Sequence, residues 1–302
     1  ANQGEIDDAI QGEEWKNEVA IRAGKSQNKR ENKKVAEEVF ARAVGSMDGV
    51  TTKSRLKETR KPTSEERISA VKISKLLEKA KYRERSQTEI QSVLPPGRLR
   101  TRAVVQAQAL KAKGSRQQVE AWRRTERHQT DSPTLRVGVM VDISGSMNDA
   151  MEPMATTAWV MSEAIRRVQG KCSMVYFGED VFPTLKQGQH LSEVRVYTAP
   201  DGTEKFDKAF KALDGEMNLL HGKDARLLVV VSDGEYYGDG QATKARDIMR
   251  ECDRNGVAVL WIDFSSGGMS NRLAGIVNGS NVKVANVAGG NLTAAADLVG
   301  RL

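Results

Sequence analysis

Val139-Met140-Val141-Asp142-Ile143-Ser144-Gly145-Ser146-Met147 carries an apolar run that ends in a carboxylate and two hydroxyls. A run apolar at consecutive positions, bounded by a short polar turn, predicts a strand buried on both faces. Helical periodicity from Ala150 to Val168 follows it. Strand, turn and helix in that order belong to a parallel sheet covered by helices. The turn then lies at the carboxyl edge of the sheet, where open α/β folds bind their ligands.

The same pattern recurs downstream. Apolar runs at Cys172–Phe177, Ala225–Val231, Val257–Ile262 and Val282–Val287 predict strands, with Val181-Phe182 and Val194–Val196 as short edge pieces. Phe206–Leu213, Thr243–Arg254, Asn271–Val277 and Leu292–Leu302 predict helices between and after them. Regular alternation gives an α/β domain over residues 132–302, a doubly wound, mostly parallel sheet flanked by helices.

Upstream the composition changes. Residues 1–131 hold 29 Lys and Arg against 19 Asp and Glu, a net of +10, while 132–302 hold 18 against 21, a net of −3. Helix formers dominate residues 5–45, with a thin apolar stripe at Val35, Val39 and Phe40 that needs a partner surface. Thr63-Ser64-Glu65-Glu66 marks a second helix, with Thr63 or Ser64 as N-cap, running to about Val93 and ended by Pro95-Pro96-Gly97. A basic helix is expected from Arg98 to Lys113, and Gln117–Trp122 as a short helix or the lead-in to a strand. The expected organisation is a basic, charged helical region (1–131) ahead of the α/β domain (132–302).

Two cysteines, Cys172 and Cys252, cannot build a disulfide framework and fit a reducing compartment. No stretch approaches the roughly 18 uninterrupted apolar residues of a membrane span, and the start lacks a signal-peptide pattern. A soluble, cytoplasmic protein without a membrane partner is expected.

The chemistry on offer is oxygen. Asp142, Ser144 and Ser146 follow the first strand of the domain, and Ser232-Asp233-Gly234-Glu235 follows the Leu227–Val231 run. Between them, Asp201-Gly202-Thr203-Glu204 offers a hydroxyl just before a helix, with Thr198 as a competitor for that role. With no His or Cys beside them, these groups suit a hard cation such as Mg²⁺ rather than zinc. Taken alone, Asp-x-Ser-x-Ser is also what a capped strand-to-helix turn looks like.

Asp142-Ile143-Ser144-Gly145-Ser146, then Gly202-Thr203, then Ser232-Asp233-Gly234 resembles the metal-ion-dependent adhesion site of von Willebrand factor A (VWA) domains, over about residues 135–302. The resemblance implies a Mg²⁺ site, with Ca²⁺ or Mn²⁺ as alternatives. Ser144 and Ser146 would ligate through hydroxyls, Thr203 directly or through water, and Asp142 and Asp233 largely through water. A partner's Asp or Glu would fill the open position. The charged region ahead of it, with Leu94-Pro95-Pro96-Gly97-Arg98-Leu99-Arg100, is similar to the cobaltochelatase-type VWA subunits that partner MoxR-type AAA+ ATPases, in bacteria and phage. That similarity implies a non-catalytic adaptor in ATPase-driven remodelling or chelatase-like metal insertion.

Several enzyme classes are not encoded. The sequence has no Gly-x-x-x-x-Gly-Lys-[Ser/Thr] loop for nucleotide phosphates and no Gly-x-Ser-x-Gly elbow. His128, His190 and His221 are scattered in polar segments. The competing reading is a structural or nucleic-acid-associated protein, for example of a phage particle, whose basic arm binds nucleic acid or a scaffold through Arg98, Arg100, Arg102, Lys111, Lys113 and Arg116.

Overall fold

The apolar runs assemble into a six-stranded sheet. A computed structural model describes residues 26–44, 56–82, 87–92, 98–114, 122–127, 134–199, 201–202, 205–222, 224–236, 240–265 and 268–287. In chain order its elements are α1 (26–41), β1 (Leu56–Arg60), α2 (Ser64–Tyr82), β2 (Gln87–Ser92), β3 (Arg98–Leu99), α3 (Thr101–Ala112), β4 (Trp122–Arg127) and β5 (Leu135–Asp142). They continue with α4 (Met151–Arg167), β6 (Lys171–Phe177), β7 (Val181–Leu185), β8 (Val194–Tyr197), α5 (Phe206–Met217), β9 (Ala225–Val231), α6 (Gln241–Arg254), β10 (Ala258–Asp263), α7 (Asn271–Val277) and β11 (Lys283–Asn286). The main sheet runs β11-β10-β9-β5-β6-β7. All neighbours are parallel except β7, which is antiparallel to β6.

Counted along the chain, that order is the doubly wound one: the chain moves outward from β5 through β6 to β7, then returns to the other side of β5 for β9. Connections leave β5 and β9 in opposite directions, so their carboxyl ends bound a crevice. Alternation along each strand feeds two cores. Val139, Val141, Val229 and Val231 enter one with α4 and α2. Met140, Leu228 and Val230 enter the other with α5, α6 and α7. A Cβ at Gly138 would stand 3.0 Å from Leu219 and 3.3 Å from Leu213, so the bare residue lets α5 close over β5.

Two compact units divide the chain: Ala1–Ala80 with Thr134–Leu302, and Lys81–Pro133. The first helices belong with the α/β sheet because their thin apolar stripes find it. Ala36, Val39 and Phe40 of α1 join the core under α5, and Asn32 Nδ2 donates to the buried Asp214 Oδ2 at 2.8 Å. Glu31 pairs with Lys211, Glu38 with Lys208 and Arg42 with Asp180, which aligns α1 along α5. Ala70, Ile73 and Leu77 of α2 join the opposite core. β1 pairs antiparallel with β8. β8 is therefore no edge of the main sheet.

In the second unit β4 lies between β2 and β3 in an antiparallel sheet. The expected helix to Val93 stops at Tyr82. The period-two placement of Thr88 and Ile90 makes Gln87–Ser92 a strand, and Trp122 opens another. The expected helices at 5–25 and Leu292–Leu302 lie outside the described residues.

Glu66 fastens α2. Thr63 Oγ1 accepts from Glu66 N at 3.2 Å while Glu66 Oε2 accepts from Thr63 N at 2.7 Å, a capping box with Thr63 as the N-cap. The same carboxylate takes two donors from Arg60 and, at 2.7 Å, the Thr156 hydroxyl of α4. Burial pushes its pKa up, but Arg60, Thr156 and the Thr63 N–H outweigh burial and hold it at about 2. A depressed folded pKa contributes stability that is complete above the ordinary carboxylate range and fades as pH falls through it. Glu66→Gln should therefore lose less stability than wild type between about pH 5 and pH 3 in urea unfolding. Glu66→Ala should cost about 2 kcal/mol at neutral pH, through the lost cap and the stranded Arg60.

Candidate functional site

β5 ends at Asp142, which is fully buried. Ile143 N still bonds Phe177 O at 3.0 Å, and Ser144 then bridges in parallel to Asp201. A 3-10 turn, Gly145–Ala150, leads into α4. Asp142 shapes the turn itself, since its Oδ1 accepts from Ser144 N at 2.8 Å. The Ser144 and Ser146 hydroxyl oxygens lie 3.1 Å apart and share a hydrogen bond, Ser144 buried and Ser146 exposed.

The second wall comes from the end of β9. Ser232 Oγ donates to Asp142 Oδ2 at 2.6 Å and accepts from Gly234 N at 3.0 Å and Tyr236 Oη at 2.9 Å. One donor and two acceptor sites are all a hydroxyl has, so Ser232 is fully used. Trp261 Nε1 donates to Ser232 O at 2.7 Å, and Trp261 stacks on Phe206 beneath the site. Gly234 has φ +73°, and a Cβ there would meet Leu273 of α7 at 2.9 Å, so the turn after Asp233 requires glycine. Asp233 is buried, its Oδ1 accepting from Glu235 N at 3.0 Å.

The third wall is the segment before α5. Asp201, two residues before Thr203, accepts through its carbonyl from Gly145 N at 2.8 Å. Its Oδ2 accepts from Glu179 N at 2.8 Å. A side chain on Gly178 would overlap the Asp201 carboxylate. Thr203 itself lies outside the described residues. Thr198 is exposed just beyond β8.

Burial pushes the Asp142 carboxyl up to about 7, and the nearby Asp233 charge adds to this against the lowering by Ser232 and Ser144. Two buried carboxylates that repel each other beside two facing hydroxyls are a donor set for a hard cation, which would relieve the repulsion. Among the described residues no three His, Cys, Asp or Glu side chains form a metal cluster. The structure thus brings together Asp142, Ser144, Ser146 and Asp233. Sequence reasoning assigned no role to Ser232 or to Asp201, both of which are buried. A hydroxyl directly after a buried strand was the available signal for Ser232.

No family model and no curated protein matches the chain. Several solved structures share part of its path. The conserved hypothetical protein BatB from Bacteroides thetaiotaomicron is 15% identical over 55% of this chain and 96% of its own, with a TM-score of 0.35. The VWA domain of SpRpn10 is 11% identical over 56% and 95%, TM-score 0.37. Proximal thread matrix protein 1 from the mussel byssus is 12% identical over 56% and 46%, TM-score 0.41. Likenesses at this level assign no function.

Ser232→Ala tests the hub. It removes a donor from buried Asp142 and an acceptor from Gly234 and Tyr236, and should cost about 1–3 kcal/mol in chemical denaturation. A change within about 0.5 kcal/mol would mean the three groups re-pair with each other.

Proposed function

We propose that the α/β unit is a VWA-type domain that holds Mg²⁺ at this crevice and presents it to a carboxylate of another protein. The observation that carries the reading is the convergence of Asp142, the Ser144–Ser146 hydroxyl pair and Asp233 at the point where the sheet reverses its winding. Ser144 and Ser146 would hold the ion through hydroxyls, Thr203 or Thr198 would supply the third, and Asp142 and Asp233 would act mainly through water. When bound, the ion supplies an electrophilic position that an Asp or Glu can enter. Asp142 is fixed in place, since both its oxygens already accept hydrogen bonds from Ser144 and Ser232. A carboxylate committed in this way orients its neighbours better than it attacks a substrate, which favours binding over catalysis.

The finer reading follows from the resemblance of the sequence to cobaltochelatase-type VWA subunits. The chain would serve as adaptor to a MoxR-type AAA+ ATPase in protein remodelling or metal insertion, with the ATPase providing the energy. Such an assembly would work in the cytoplasm.

Ser144→Ala/Ser146→Ala is the informative variant, because its fold rests on neither hydroxyl. Wild-type protein should melt higher in Mg²⁺ than in EDTA, by an amount that corresponds to about 2.7 kcal/mol at one hundred times Kd. The double variant should melt near wild type in EDTA and gain nothing from Mg²⁺. Pull-downs should recover the ATPase or client in Mg²⁺ and lose it in EDTA. Equal recovery in both would overturn the adaptor reading, and an equal melting response in both proteins would overturn the site.

A further inference from the structure

The division into two units also divides the charge. Lys81–Pro133 contains 12 Lys and Arg against 5 Asp and Glu, a net of +7 in 53 residues. The rest of the chain holds 35 of each and is neutral. The whole excess of +7 therefore belongs to one small unit. Within it, residues 90–119 contain no acid at all and six cations: Arg98, Arg100, Arg102, Lys111, Lys113 and Arg116. The first five are exposed, and Arg98 through Arg102 line an open pocket of about 340 Å³ where β3 passes into α3.

We infer that this unit binds nucleic acid through its phosphate backbone, without reading sequence. The charge density is what such binding needs, because each phosphate neutralised by Lys or Arg releases condensed counterions. The described exposed side chains of the unit include no aromatic on which a base could stack, so contacts go to phosphate rather than to bases. A membrane surface fits less well. Among the described residues of the unit, Ala103 is buried and Val104 and Leu110 are half-buried, and the exposed large apolar side chains are Leu99 and Val105, too little for an inserted face. An acidic protein fits less well for the same reason: a protein interface needs an apolar centre inside its charged rim.

The test uses the full chain and labelled oligonucleotides of mixed sequence as single-stranded DNA, duplex DNA and RNA, followed by fluorescence anisotropy between about 50 and 200 mM salt. Binding should fall steeply with salt and be insensitive to scrambling the sequence. Arg98→Gln/Arg100→Gln/Arg102→Gln should weaken binding to duplex at least tenfold and reduce the salt slope by about 2 to 3. Ser144→Ala/Ser146→Ala should bind as wild type does, which separates this surface from the cation site. Lys111→Gln/Lys113→Gln is the second variant, should the triple one lose its circular dichroism. Three results would overturn the inference: no binding at the lowest salt, binding unchanged in the folded Arg or Lys variants, or equally tight capture by anionic phospholipid vesicles or polyglutamate.

Discussion

Asp142 ends the central strand β5 out of reach of water, with one oxygen held by the Ser144 amide and the other by the Ser232 hydroxyl. That second bond crosses from the turn after β5 to the turn after β9, which are 90 residues apart in the chain. The crossing exists only because the sheet places β9 beside β5 after the excursion through β6 and β7. The winding of the sheet thus brings two polar turns to one point, and the buried carboxylate ties them there. Tyr236 and Gly234 on Ser232, and Trp261 on its carbonyl, then fasten the second turn to the aromatic core below. Burying a carboxylate without a countercharge is costly. Asp142 shows that cost in its raised pKa, which a cation beside Asp233 would offset.

A second line of contacts reaches this point from the first helix. Arg42, near the end of α1, binds Asp180 and the carbonyl of Val181. Asp180 closes a tight loop with Gly178, whose neighbour Glu179 donates its N–H to Asp201. Asp201 in turn receives Gly145 of the site turn. The charged N-terminal helix is therefore joined to the candidate site by packing and by hydrogen bonds. Gly178 is needed in this line because the Asp201 carboxylate occupies the space a side chain would take.

The strands and helices of the α/β unit were legible because its strands are buried on both faces and read as unbroken apolar runs. β6 and β9 coincide with their expected ranges to within a residue. The region before it was less legible for a physical reason. Ala36, Val39 and Phe40 make so narrow a stripe that the sequence gives no hint of which surface receives it. Short strands such as β2, polar at alternate positions, carry too little apolar signal to be told from a helix end. Asp142, Ser144, Ser146 and Asp233 were visible as a motif at strand ends. Ser232 and Asp201 were not, because their importance lies in contacts across the fold that no local pattern records.

The fold supplies its own comparison for the turn after β5. β10 also ends in an aspartate, and Asp263-Phe264-Ser265 repeats the local geometry of Asp142-Ile143-Ser144: in both, Oδ1 accepts from the serine amide at 2.8 Å. Both carboxylates are fully buried. They differ in what meets the second oxygen. Asp263 Oδ2 accepts from the Ser265 hydroxyl at 2.8 Å and from Asn286 Nδ2 at 3.0 Å, and the Ser265 hydroxyl is thereby turned inward onto its own turn. Such a carboxylate is satisfied by its neighbours, and its serine is consumed in doing so. At Asp142 a hydroxyl from a different strand, that of Ser232, meets the second oxygen, while the Ser144 hydroxyl, which also lowers the Asp142 pKa, shares a hydrogen bond with Ser146. The Ser232 bond ties the end of β5 to the turn after β9, and the Ser144–Ser146 pair stands beside that tie with Ser146 exposed, next to a second carboxylate whose charge adds to the raised Asp142 pKa.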